Sequence, residues 1–105
     1  MSAWRKRALA SCCVVCGGVK RLEVAHLVAR SELPKPHPFY KDPRNLTTLC
    51  RWCHLALDLA LEVTFPRYHP HQPLDRLRTW FRDKRAAYIP LLQQRNRLLV
   101  ELYGL

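Results

Sequence analysis

Two C-x-x-C pairs, Cys13-Val14-Val15-Cys16 and Cys50-Arg51-Trp52-Cys53, constrain this chain more than any other feature. At that spacing two sulfurs reach one metal from a single tight turn, so the two pairs supply the four thiolates of a closed tetrahedral zinc site. Gly17-Gly18 follows the first pair and suits a turn that passes through positive φ. A redox-active C-x-x-C is the rival reading, but it needs one motif opening a helix in a βαβ setting, and here there are two motifs and little strand pattern. Cys12 is left over and reads as a small, partly buried thiol. No apolar run is long enough to span a membrane, and the basic Arg5-Lys6-Arg7 is followed by too few apolar residues for a signal peptide. The expected location is therefore cytoplasmic, where cysteines serve as ligands or free thiols more often than as disulfides.

The stretch between the pairs is longer than a simple zinc ribbon allows. Residues 21–28 read as a strand, mostly apolar and β-branched, and Pro34, Pro36, Pro38 and Pro43 then mark a loop. Asn45-Leu46-Thr47-Thr48-Leu49 leads back into the second pair, and 52–63 reads as a helix with Leu55/Leu59 and Leu57/Leu61 at i,i+4. After a proline-rich linker at 66–73, Asp75 or the residue before it is expected to cap a helix running to about Tyr88. Leu74, Leu77, Phe81 and Tyr88 form its apolar stripe, and Pro90 kinks it or opens a new one. Leu91, Leu98 and Leu102 carry a second stripe, which needs either the finger's own face or a second copy of the chain to cover it. The expected fold is α+β, a small zinc-stapled ββα unit with flanking helices and a predominantly helical C-terminal half. The chain is expected to form a single domain over 1–105, with the finger at about 12–63 and the helical extension at about 74–104.

His54 and Asp58 lie one turn apart on one helix face, a standard placement for N and O donors to a divalent ion, and His26 lies in the first strand, before the loop. Taken alone, His26 reads as an ordinary half-buried strand histidine, Asp58 as a solvated helix acid and Asn45 as a turn residue. The ordered set Cys13-x2-Cys16, Leu22-Glu23-Val24-Ala25-His26-Leu27, Asn45-Leu46-Thr47-Thr48-Leu49-Cys50-x2-Cys53-His54, over about residues 12–60, resembles the HNH endonuclease family with its ββα-metal (His-Me) finger. The resemblance implies that His26 is the general base that activates water and that His54 is a ligand of a catalytic divalent ion. It also implies that Asn45 either orients the base through the loop or helps hold that ion. Members often carry Asp or His immediately before the base, where this chain has Ala25, so the ion would rely on His54 with Asp58 and Asn45. Mg²⁺, Mn²⁺, Ni²⁺ and Zn²⁺ all suit such donors.

The formal charge of +10 points to a polyanionic partner. Arg30, Lys41, Arg44 and Arg51 on the finger, with Arg78, Arg82 and Arg85 at i, i+4 and i+7 on the next helix, are the expected contacts to the DNA backbone. Phosphate contacts position a protein without reading bases, so cleavage as a nickase or double-strand cutter with little sequence preference is expected. A non-catalytic zinc-stapled DNA-binding or phage packaging-accessory module of the same ancestry is the alternative, favoured by Ala25. Monomer and homodimer are both open, as is membership of a phage packaging or restriction complex in a bacterial or phage-infected host.

Overall fold

The computed structural model describes residues 9–34, 37–62 and 73–104; the expectations for Arg5, Lys6, Arg7 and most of the second linker lie outside the described residues. Strands β1 (Leu22–His26) and β2 (Leu46–Cys50) pair antiparallel, with Leu22 opposite Cys50, Val24 opposite Thr48 and His26 opposite Leu46. Helix α1 (Arg51–Ala60) follows β2 without a loop. Cys50 makes this junction possible: it ends the strand and caps the helix, its sulfur accepting the Cys53 N–H at 3.4 Å where Ser or Asp usually serves. The helix stops short of 63, because Glu62 adopts φ +54°, outside the helical region.

The loop from β1 to β2 is built from 3₁₀ turns at Arg30–Glu32, Pro38–Tyr40 and Pro43–Asn45. Pro38 and Pro43 each open a turn, where a missing N–H costs nothing. His37 and Asp42 cap these turns by accepting the Phe39 and Arg44 N–H groups.

Helices α2 (Leu74–Asp83) and α3 (Arg85–Tyr103) form the C-terminal half. The break between them falls at Lys84 and not near Tyr88, and Pro90 lies inside α3 and does not open a new helix. A proline within a helix costs about 3 kcal/mol; here α3 is anchored on both sides of it, by the fully buried Tyr88 and by Leu98. Nor does Asp75 cap α2. Its N-cap is Pro73, with no side-chain hydrogen bond, and Asp75 sits in the first turn.

Both apolar stripes pack on the finger. Leu77 and Tyr88 join Leu49, Cys53, Ala56 and Leu57 in one core, while Leu98 joins Val28, Leu33 and Phe39 in a second under the loop. Tyr88 donates its hydroxyl to the Cys53 carbonyl at 2.8 Å, so the extension is tied to the second cysteine pair by a buried polar bond as well as by apolar contact. Among the described residues no helix is long and apolar enough to cross a membrane.

Candidate metal centre and active site

The four sulfurs of Cys13, Cys16, Cys50 and Cys53 all lie within 4.8 Å of one another, a separation that lets one ion bind them all. The first pair is folded by Gly17 N–H to Cys13 C=O at 2.9 Å, with Gly17 at φ +75°, and Gly18 N–H points at the Cys16 sulfur at 3.4 Å. Val14 N–H to Thr48 C=O at 3.0 Å pins this turn to β2 and so brings the two pairs together. Burial opposes ionisation of Cys13, but backbone N–H groups at Cys16, Cys50 and Val15 and the Cys53 thiol bring its pKa down to about 7. Burial pushes the Cys53 thiol up, although the Trp80 indole N–H donates to its sulfur at 3.3 Å. Cys12 is half-buried and outside the group.

His26 ends β1 with its ring stacked on Tyr40, centroids 4.4 Å apart and planes 14° from parallel, and its Nε2 lies 2.7 Å from the Tyr40 carbonyl oxygen. A carbonyl only accepts, so Nε2 carries the hydrogen and, in the neutral ring, Nδ1 carries the lone pair. Asn45 is completely buried behind this segment. Its Oδ1 accepts the Val28 N–H at 2.6 Å, and its Nδ2 donates to the carbonyls of Val28 at 3.1 Å and Phe39 at 2.9 Å. With both ends of the amide engaged by backbone and no exposed surface, the geometry suits holding the loop and not the expected share in a metal site with His54. Asn45→Ala is expected to destabilise the protein by about 2–4 kcal/mol, seen as a lower urea midpoint at unchanged slope, because buried backbone groups lose their partner.

Arg95, on α3, closes the other side of the segment. It donates to the Leu27 carbonyl at 2.8 Å and to both oxygens of Glu32 at 2.7 and 2.6 Å, and Glu32 also accepts the Ala29 N–H. Burial of Glu32 opposes its ionisation, but the Arg95 hydrogen bonds, the Ala29 N–H and the Arg95 charge together hold its carboxyl below the usual range. A depressed carboxyl stabilises the fold above its unfolded pKa, about 4.3, and that contribution is lost as pH falls through the lower folded value. The stability gap between the native protein and Arg95→Met, both saturated with zinc, is therefore expected to be full near pH ~6 and to narrow on acidification through that window. A gap independent of pH in urea unfolding would refute the clamp.

His54, on the first turn of α1, faces two carboxylates. Its Nδ1 lies 2.8 Å from Glu23 Oε1, and its Nε2 lies 3.4 Å from Asp58 Oδ2, with the His54 and Asp58 side chains 12% and 8% exposed. The hydrogen bond to His54 is the main cause that holds the Glu23 carboxyl below the usual range, helped by the charges of His54 and Arg51 against burial. Among the described residues, only the four cysteines form a group of three or more such side chains whose ligand atoms all converge. Glu23, His54 and Asp58 instead form a chain through the imidazole, whose N and O donors fit a hard or borderline divalent ion at one end of the ring.

A family model described as HNH endonuclease matches residues 13–61, the span that holds both cysteine pairs, His26, Asn45 and His54. Over that span the finger is similar to the HNH endonuclease family. No curated protein and no solved structure matches the chain. The match points to a nuclease-type or DNA-binding domain, and the four converging cysteines give the finger a centre able to hold a zinc ion.

The residue before His26, Ala25, is fully buried in the core of the HNH finger and offers no ligand atom. Of the seven expected DNA contacts, Arg44 pairs with Asp42 and Glu101, Arg51 with Glu23, Arg78 with Asp75, and Arg82 with Asp83. Arg30 lies over the Tyr40 ring at 5.5 Å from its centroid, and Lys41 and Arg85 are exposed. The expected i, i+4, i+7 row of Arg78, Arg82 and Arg85 assumes one unbroken helix and is corrected by the break at Lys84. Sequence reasoning also missed Glu23 and Arg95 as parts of the site. Glu23 lies within the family motif, so its position in β1 facing α1 was a usable signal; Arg95 lies far outside it and had none.

Proposed function

We propose that the protein is a metal-dependent HNH endonuclease that hydrolyses DNA phosphodiester bonds, nicking or cutting duplex DNA with little sequence readout. The observation that carries this reading is the fixed ring of His26, whose Nε2 hydrogen is held by the Tyr40 carbonyl. Nδ1 is then the basic nitrogen, and a neutral imidazole so oriented takes a proton from water attacking phosphorus. Asn45 supports that role by holding Val28 against the loop. His54 and Asp58 would hold the divalent ion, which supplies positive charge to the phosphate and to the leaving 3′ oxygen. Cys13, Cys16, Cys50 and Cys53 would hold a structural zinc. Arg30, Lys41 and Arg85 are exposed members of the proposed DNA contacts, and Arg44, Arg51, Arg78 and Arg82 face carboxylates in exposed pairs, which are weak and yield to a polyanion.

Buried Ala25 favours a second reading, a DNA-binding or packaging-accessory module that does not cut. Incubating supercoiled plasmid with the purified protein in chelator and in Mg²⁺, Mn²⁺, Ni²⁺ or Zn²⁺ separates the two. Nicked or linear product in at least one metal supports the endonuclease; salt-sensitive binding with no product in any of them supports the module. Adding back a packaging or restriction complex then distinguishes a subunit that cuts only within an assembly.

A further inference from the structure

The two carboxylate contacts of His54 differ in kind. From Nδ1 to Glu23 Oε1 is 2.8 Å, the length of a charge-assisted N–H···O bond. From Nε2 to Asp58 Oδ2 is 3.4 Å, long for a hydrogen bond. Two ligand atoms each about 2.1 Å from one ion, at an angle of about 110°, lie about 3.4 Å apart. Arg51 decides which end of the ring suits a cation. Its guanidinium sits 3.3 Å from the second oxygen of Glu23, and positive charge there repels a divalent ion from the Nδ1 side. The Asp58 side is also the more buried.

We propose that Glu23 is a positioning residue for the divalent ion: by accepting the Nδ1 hydrogen of His54 it sets the tautomer whose Nε2 lone pair, beside Asp58, binds that ion. The inference rests on the endonuclease reading, since the ion Glu23 positions is the one that reading requires. A carboxylate behind a histidine ligand fixes the ring and raises its basicity. Glu23 lies two residues before Ala25, on the same face of β1, so this chain places its acid where it acts through His54 and not on the ion directly.

The test uses the full chain loaded with zinc and reads Mn²⁺ binding by electron paramagnetic resonance, because Mn²⁺ is a hard ion that thiolates hold poorly. Glu23→Ala is expected to weaken Mn²⁺ binding by about 10–100-fold. Glu23→Gln keeps an amide oxygen that accepts from Nδ1, and is expected to retain most of the affinity. Nitrogen-15 spectra of His54 are expected to show hydrogen on Nδ1 in the native protein and in Glu23→Gln, and a mixture of tautomers in Glu23→Ala. Unchanged Mn²⁺ affinity in Glu23→Ala overturns the proposal and leaves the endonuclease reading standing. An equal loss in Glu23→Gln and Glu23→Ala overturns it in favour of direct ligation. Absence of Mn²⁺ binding in the native protein overturns the proposal, while the endonuclease reading is then decided by plasmid cleavage in Mg²⁺, Ni²⁺ or Zn²⁺. If Glu23→Ala loses its zinc, the native spectrum decides alone, and hydrogen on Nε2 of His54 refutes the assignment.

Discussion

His26→Ala is expected to lower plasmid cleavage by about 10²–10⁴-fold in every metal that supports it, the range seen when a positioned general base is removed. The native ring is set by two contacts from Tyr40, its carbonyl at 2.7 Å and its stacked ring, so the substitution removes a group whose orientation the loop has already imposed. Its structural effect is small by comparison. His26 ends a strand and is half-buried, so truncation leaves β1 paired through Leu22–Ala25. Zinc content and the urea midpoint are therefore expected to stay near native while cleavage collapses. If gel assays show cleavage unchanged in the mutant, the base lies elsewhere and the role given to Nδ1 is wrong. A loss of cleavage that tracks a loss of zinc would mean that the fold was damaged, a result Asn45→Ala serves to calibrate.

Removing the zinc ion that the four cysteines could hold is expected to have the largest effect on the fold. Binding of zinc by four thiolates contributes about 10–16 kcal/mol at neutral pH, as much as or more than the ~5–15 kcal/mol of net stability a whole domain usually has. In this protein the four sulfurs join the turn at Cys13 to the β2–α1 junction, and Cys13 and Cys53 also belong to the main core. Without the ion, two buried thiols remain in place of a bonded centre, and the docking of α2 and α3 through Trp80 and Tyr88 loses its anchor at Cys53. A strong chelator, or Cys53→Ser, is expected to abolish the cooperative unfolding transition in circular dichroism. Cys12→Ser is expected to keep one zinc per chain and a native midpoint, since Cys12 lies outside the group. A metal-free protein that still unfolds cooperatively at the native midpoint would show that the core alone suffices.

Local spacing made much of the finger legible. A C-x-x-C turn has few ways to place its sulfurs, so the convergence of Cys13, Cys16, Cys50 and Cys53 followed from the spacing once the intervening chain was read as a returning hairpin. The i,i+4 relation of His54 and Asp58 is likewise a property of any helix, and they meet at 3.4 Å. Asn45 was legible as a position and only half legible as a role. Its place before β2 is in the motif, but its hydrogen bonds to Val28 and Phe39 depend on how the loop folds back. The break at Lys84 escaped because proline is the strongest local punctuation and Pro90 drew the boundary. Burial of Tyr88 and Leu98 on either side outweighed it.

By itself the sequence determined the thiol centre, the hairpin, the helix that carries His54 and the family they resemble, because each is written in spacings of a few residues. Tertiary structure decided that the apolar stripes of the C-terminal helices cover this chain's own finger, that Arg95 clamps the segment after His26, and that Glu23 stands behind His54. The two polar contacts join residues 31 and 68 positions apart. Their partners are chosen by the summed burial of whole helix faces, which no short window of sequence contains.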